Sequence, residues 1–379
     1  MARKSNAQRL ADRLTTPIPR VKPTPADDFL STGCTLLNMA FTGHPDRGIP
    51  KGGYLYLVGD SGASKTWMTF CAFAEASRNN HFNGYRFVFD NAENGAMMDV
   101  NRFFGSRVVE RLEPPRLVDG EPAYSETVQE FYLNLETNCR QGPCVYVLDS
   151  MDALNDDADE QKFEAELKVF GGESTPVPGS MGMNKAKTNS RSINRVVKAL
   201  RKNGSILVVI SQTRDKVGSH IPGQKTRGGG RALRFYAHLE AWLSVRETIV
   251  RTYLRKPREI GAKIQIDVQK NRVNGWEGKV PLIPFIKGYG VDDVGSCVDY
   301  LLDERHWTGA KSGRPSVASD DNETGKTFTA PEFDFTGTRE QLIQRIQDES
   351  DEWDLRQLVS QVWRDIVAGA TPNRKPRYT

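Results

Sequence analysis

The 379-residue sequence predicts an α/β fold: a twisted, mostly parallel sheet with helices on both faces, an N-terminal helix and arm, and a small C-terminal α+β or helical domain. Three observations carry that expectation. Near-continuous apolar runs stand at strand length, helical periodicity lies between them, and a glycine-bearing loop joins the first such strand to the first such helix. The expected units are residues 1–30, 31–295 and 296–379.

The N-terminal unit reads as a short basic amphipathic helix, Ala7 to Leu14, and a proline-broken arm, Pro17 to Pro25. The arm cannot build a core alone; it is disordered or docks on something, a neighbouring copy included. Strands are expected at Tyr54 to Val58, Tyr85 to Phe89, Cys144 to Leu148 and Ser205 to Ile210. Helices are expected at Thr66 to Ser77 and at Ser192 to Lys202, where Ile193, Val196, Val197 and Leu200 share one face. Ala241 to Val245, Lys263 to Val268 and Lys279 to Pro284 alternate more and predict antiparallel additions to the sheet. Residues 309–330 read as a flexible loop, Arg339 to Ile346 and Asp354 to Val367 as two helices, and Asn373 to Thr379 as a disordered tail. The acidic run between the helices, 348–354, reads as a solvated helix end.

Composition narrows the classes. Hydrophobic residues make up 38% and charged residues 26%, as in soluble globular proteins. No apolar run reaches the roughly 18 residues of a transmembrane helix. The basic opening is followed by no apolar stretch, so no secretory signal is expected. The five cysteines are scattered without a C-x-x-C pair, so neither a zinc site nor a disulfide framework is expected, and a reducing cytosol is the default. Charge is segregated: Lys185 to Arg234 holds thirteen basic residues against one acid, Asp215, while the whole chain carries only +4. Such clustering reads as a nucleic-acid footprint.

Gly59-Asp60-Ser61-Gly62-Ala63-Ser64-Lys65-Thr66 follows a strand and opens a helix, the context that makes this spacing a phosphate loop. Backbone N–H groups and the helix N-terminus surround phosphate oxygens there. Lys65 would reach the β- and γ-phosphates of ATP, and the Thr66 hydroxyl would bind Mg²⁺. Ser64 stands where the motif wants glycine. Asp149, at the end of an apolar strand, is the candidate second Mg²⁺ ligand. Glu93 lies past the second strand at the same sheet edge and could orient an attacking water. Gln212 also ends a strand there, where its amide could sense the γ-phosphate. Two loops then suit a nucleic-acid backbone: Gly171 to Asn189, with Arg191 just beyond, and the basic, glycine-rich Thr213 to Gly230. The second supplies Arg214, Lys216, Lys225, Arg227, Gly228 and Gly229, with Arg231 at its end.

Together these pieces resemble the RecA recombinase family, and among its members a divergent phage type. Ser31-Thr32-Gly33-Cys34-Thr35-Leu36-Leu37-Asn38 is similar to the family's entry motif, with Asn38 in place of an acid. Gly229-Gly230-Arg231-Ala232-Leu233-Arg234-Phe235-Tyr236-Ala237 is similar to its G-G-x-A-L-K-F-Y-A run, and Lys270-Asn271-Arg272 to its K-N-K element. The resemblance covers roughly residues 30–300. It implies a RecA-like P-loop ATPase core, ATP and Mg²⁺ as cofactors, Glu93 as water-activating base and Gln212 as γ-phosphate sensor. It implies that Lys270 and Arg272 reach the ATP of an adjacent subunit, and that Met181 and Ile221 insert between DNA bases. It further implies a helical filament on single-stranded DNA, pairing with double-stranded DNA, and a bacterial or phage-infected cytoplasm. Two other readings stay open: a hexameric helicase of the same superfamily, and a recombination mediator that binds ATP with little turnover. Around Lys287-Gly288-Tyr289-Gly290 the family's base-stacking tyrosine is displaced, so adenine contacts stay open.

Overall fold

A computed structural model of the chain describes residues 24–157, 183–215, 225–228, 230–307 and 327–371, with Gln8. The predicted N-terminal helix apart from Gln8, nearly all of the arm, residues 309–326 of the expected loop, and the tail lie outside these residues, as do Met181, Lys216, Ile221 and Gly229.

Nine strands build most of one sheet: β1 (Tyr54–Gly59), β2 (Arg86–Asp90), β3 (Cys144–Leu148), β4 (Ile206–Asp215), β5 (Lys225–Arg227), β6 (Leu239–Tyr253), β7 (Lys256–Asn271), β8 (Ile283–Ile286) and β9 (Gly290–Val291). Their order is β9-β8-β7-β6-β1-β4-β3-β2, with β5 against β4 and the short strand Gly278–Lys279 against β7. Strands β2, β3, β4, β1 and β6 run parallel. From β6 through β7 and β8 to β9 the pairing is antiparallel, as the alternating patterns predict. Among the described residues the helices around it include α1 (Thr35–Thr42), α2 (Lys65–Arg78), α3 (Val128–Gln141), α4 (Met183–Asn203), α5 (Arg231–Tyr236), α6 (Asp293–Asp303), α7 (Arg339–Glu349) and α8 (Glu352–Ala370).

Side-chain alternation along β1 decides which layer each residue feeds. Leu55 and Leu57 pack with Met68, Phe70 and Phe73 of α2, while Tyr54, Tyr56 and Val58 pack with Phe131 of α3, Ile193 of α4 and Leu233 of α5. Every residue of β1 and β3 is buried, which is why these strands read as unbroken apolar runs. The two faces together bury enough apolar surface to dominate stability, at about 25 cal/mol per Å².

Three expectations need correction. Helix α4 starts at Met183, so Met183 to Asn189 of the expected first loop is helical; buried Asn189 accepts a 2.8 Å hydrogen bond from the Tyr132 hydroxyl, and the polar composition hid that packing. Thr213 to Arg227 is not an aperiodic loop at its roots: Thr213, Arg214 and Asp215 pair antiparallel with Arg227, Thr226 and Lys225. Phe328–Ala330, assigned to flexible loop, is a strand paired with Phe335–Gly337, because Phe328 stacks on buried Trp307 at 5.4 Å. Residues 348–354 fall at the α7–α8 junction, and Glu352 and Asp354 sit in the first turn of α8, where the helix dipole favours acids.

The expected boundary between residues 295 and 296 falls inside α6. Cys297 and Leu301 of α6, Leu342 and Ile346 of α7, and Leu355 and Val359 of α8 join the same apolar cluster as β1 and α2. Asp293 fastens this layer: it accepts from the Thr35 backbone N–H at 2.7 Å and pairs with Arg356 at 3.2 Å.

Candidate phosphate site and basic hairpin

The loop between β1 and α2 is shaped by three residues. Gly59 sits so close to β6 that a Cβ would lie 2.5 Å from the Leu243 carbonyl oxygen, so only glycine lets the two strands pair there. Gly62 has φ +76° and Ser64 φ +60°. The motif's preference for glycine at position 64 is thereby explained: the turn is left-handed, and a serine adopts it at a cost of roughly 1 kcal/mol. Ser64 keeps its structural duty, since its carbonyl accepts the Met68 N–H at 3.1 Å and starts α2.

The carboxyl ends of β1, β2, β3 and β4 then bring the chemistry together. The Lys65 ammonium donates to the carbonyls of Gly59 at 2.9 Å and Asp60 at 2.7 Å. Thr66 donates its hydroxyl to Asp149 Oδ2 at 2.5 Å. Glu93 accepts from Gln212 Nε2 at 2.9 Å and from the Ser150 hydroxyl. The backbone fixes Glu93 too, since its N–H donates to the Asp149 carbonyl at 3.0 Å. A cavity of about 370 Å³ opens here, lined by Lys65, Thr66, Glu93, Asp149 and Gln212, with Trp67 and Phe285 on its apolar side. That volume is in the range of small-molecule and cofactor sites. Tyr289 is not among the lining residues; its hydroxyl accepts from Gln347 at 3.2 Å.

Burial shifts both charged groups toward neutrality. The Asp149 carboxyl is raised, first by burial and then by nearby Glu93, against the Thr66 hydrogen bond and Lys65. The Lys65 ammonium is lowered by burial, against Asp149, Glu93 and Asp60. Each charge is costly as it stands and would gain from an ion of opposite sign. Among the described residues no group of three or more His, Cys, Asp or Glu side chains converges on a metal position. The two hard oxygens of Thr66 and Asp149 instead fit Mg²⁺ that keeps water and phosphate oxygens as its other ligands.

Two residues in this network had escaped notice. Ser150 holds Glu93, and Asp152 holds the end of β4: its Oδ2 accepts from the Gln212 N–H at 2.7 Å and the Ser211 hydroxyl at 2.6 Å, and its Oδ1 from Arg214 at 3.0 Å. A Cβ on Gly228 would lie 2.2 Å from Asp152 Oδ1, so that glycine admits the carboxylate between both hairpin strands. No spacing rule flags residue 152 in the sequence.

The basic residues fare unevenly. Arg191 and Arg231 are exposed. Lys225 pairs with Asp60 at 2.5 Å, Arg214 with Asp152, and Arg227 and Arg234 with buried Glu240 at 3.0 and 2.9 Å. Part of the local positive excess is therefore neutralised within the fold. Lys270 and Arg272 are not brought to Lys65. Lys270 pairs with Glu240, itself level with Tyr56 on β1, about 10 Å along the strand from Gly59 and toward the opposite sheet edge. Its ammonium donates to the carbonyls of Arg234 at 2.5 Å and Phe235 at 2.9 Å, and burial with Arg272 nearby lowers its pKa to about 8.

A parallel sheet with a phosphate loop, a hydroxyl–carboxylate pair and a glutamate at its carboxyl edge defines the P-loop nucleotide-binding class. The RecA N-terminal domain family matches residues 144–282, which supports a place for the chain in the RecA family. It is similar to Protein RecA of Clostridium acetobutylicum, 28% identical over 247 residues, which is 65% of this chain and 61% of that one. Protein RecA of Chloroherpeton thalassium is 29% identical over 259 residues, 68% of this chain and 63% of its own. Protein RecA of Prochlorococcus marinus is 25% identical over 322 residues, 85% and 76% of the two chains. The chain thus spans less than two thirds of the length of the first two relatives. Among the described residues no helix is long and apolar enough to cross a membrane.

Proposed function

We propose that the chain is a DNA-dependent ATPase that forms helical filaments on single-stranded DNA and catalyses homologous pairing and strand exchange, as a divergent, phage-type recombinase of the cytoplasm. One observation carries the reading: Gln212 donates to Glu93 inside the phosphate cavity, on the strand that continues directly into the basic hairpin. Hydrolysis and DNA contact then share one rigid element.

In this mechanism Lys65 leaves its two carbonyls for the β- and γ-phosphates, and Thr66 and Asp149 would hold Mg²⁺. Mg²⁺ supplies charge neutralisation for the phosphates. Glu93, oriented by Ser150 and Gln212, takes a proton from the attacking water. Loss of the γ-phosphate changes what Gln212 can bind, and the displacement passes into β4 and β5. Lys270 and Arg272 serve the site of the neighbouring chain, which agrees with their place at the opposite sheet edge.

ATP hydrolysis should rise with single-stranded DNA, and Lys65→Ala should lower it about a hundredfold or more, as expected when a major electrostatic contact to the transferring phosphoryl group is lost. DNA-stimulated hydrolysis without strand exchange, with rings in place of filaments by electron microscopy, would leave the helicase reading.

A further inference from the structure

Asp60 is an acid inside a loop whose other groups attract anions. Lys65 lies five positions on, and the N-terminus of the 14-residue helix α2 faces the same space. A free carboxylate there would oppose a triphosphate, which carries about four negative charges. The fold does not leave it free. Asp60 Oδ2 takes the Lys225 ammonium at 2.5 Å, and Oδ1 accepts from the Thr213 hydroxyl. Those partners sit on the two opposed strands of the hairpin, Thr213 beside Gln212 on β4 and Lys225 on β5. Burial alone would push the Asp60 carboxyl up, yet Lys225 and Thr213 hold it below the ordinary aspartate range.

We propose that Asp60 is a positioning residue that makes triphosphate affinity depend on whether the β4–β5 hairpin is docked. Docked, the hairpin neutralises Asp60 and the loop is attractive to phosphates. Displaced, it uncovers the carboxylate and the loop repels them. The coupling runs through charge, separately from the Gln212 contact, and by linkage a bound triphosphate favours the docked hairpin equally. This rests on the reading of residues 59–66 as a triphosphate site.

Binding of a fluorescent, non-hydrolysable ATP analogue with Mg²⁺, measured on the full chain without DNA, tests it. Lys225→Gln should weaken the triphosphate about three- to tenfold, and the diphosphate less, the scale of one partly exposed charge pair. In the Asp60→Asn background the same Lys225→Gln change should move affinity less than about twofold, a non-additivity that reports the pair itself. Hydrogen exchange of residues 213–215 and 225–227 should quicken in Asp60→Asn. An equal loss from Lys225→Gln in both backgrounds would mean that Lys225 meets phosphate directly, and would overturn the proposal. So would unchanged hairpin exchange in Asp60→Asn, a result that needs no nucleotide. A parent protein that binds no triphosphate would remove the phosphate-loop reading and the proposal with it.

Discussion

Asp149, just past the end of β3, and Glu240, on β6 with β1 and β4 between, are both buried carboxylates of one sheet, 5% and 0% exposed, and the fold treats them in opposite ways. Glu240 is paired with cations: Oε1 meets Arg227 at 3.0 Å and accepts from the Trp242 indole N–H at 2.9 Å, and Oε2 lies 2.9 Å from Arg234 Nε, an ion pair without hydrogen-bond geometry. Asp149 has a hydroxyl from Thr66, an acid, Glu93, nearby, and a lysine whose ammonium is committed to backbone carbonyls. Charge burial at Glu240 is settled within the molecule, fastening β5 and α5 to β6. At Asp149 it is left open for a cation from outside. The carboxylate paired with arginines is architecture; the one without a cation of its own marks chemistry.

Three changes can break or sharpen that contrast. The largest effect belongs to Glu93→Gln, which should lower ATP turnover about 10²- to 10³-fold while nucleotide affinity stays near that of the parent. A matching loss of affinity would make Glu93 part of the binding set and remove it as base. Next is Glu240→Ala, which strands two arginines. Denaturant unfolding should show a loss of about 3 kcal/mol, because removing one partner of a buried pair leaves the other uncompensated. A loss under about 1 kcal/mol would put Glu240 with ordinary surface pairs. The smallest effect concerns His238, which precedes β6 and whose Nδ1 accepts the Tyr54 N–H at 3.1 Å. Burial and nearby Arg201 lower its pKa from 6.5 to about 4. Between those values the unfolded chain binds more protons than the folded one. Its contribution is therefore complete above pH 6.5 and is lost as pH falls toward 4. Melting temperatures at pH 7 and 4.5 should differ by a few degrees less in His238→Asn, which keeps an acceptor but no titration.

What could be read from the sequence was local. β1, β3 and the phosphate loop announce themselves because burial on both faces produces apolar runs and the loop's spacing is fixed by backbone geometry. Glu93 and Asp149 could be placed because each follows a strand end, and strand ends share an edge; Gln212 lies level with Gly59 at that edge although β4 runs on past it to Asp215. The hairpin could not be read, since Thr213–Asp215 and Lys225–Arg227 are too short to show a period. The partial neutralisation of the charge between Lys185 and Arg234 was hidden for a related reason: its counter-ions, Asp60, Asp152 and Glu240, lie outside that stretch, with Asp60 165 residues from Lys225. Ser64 looked like a defect in the motif and proves to be a serine in a left-handed turn.

The placement of Lys270 and Arg272 has a consequence for counting. If each nucleotide site is completed by the cations of the next chain, a lone chain has no complete site, and a row of chains has one fewer than its members. Output per chain would then climb with protein concentration and with row length, and the two ends of the row would differ, one carrying an unfinished pocket and the other an unused pair of cations.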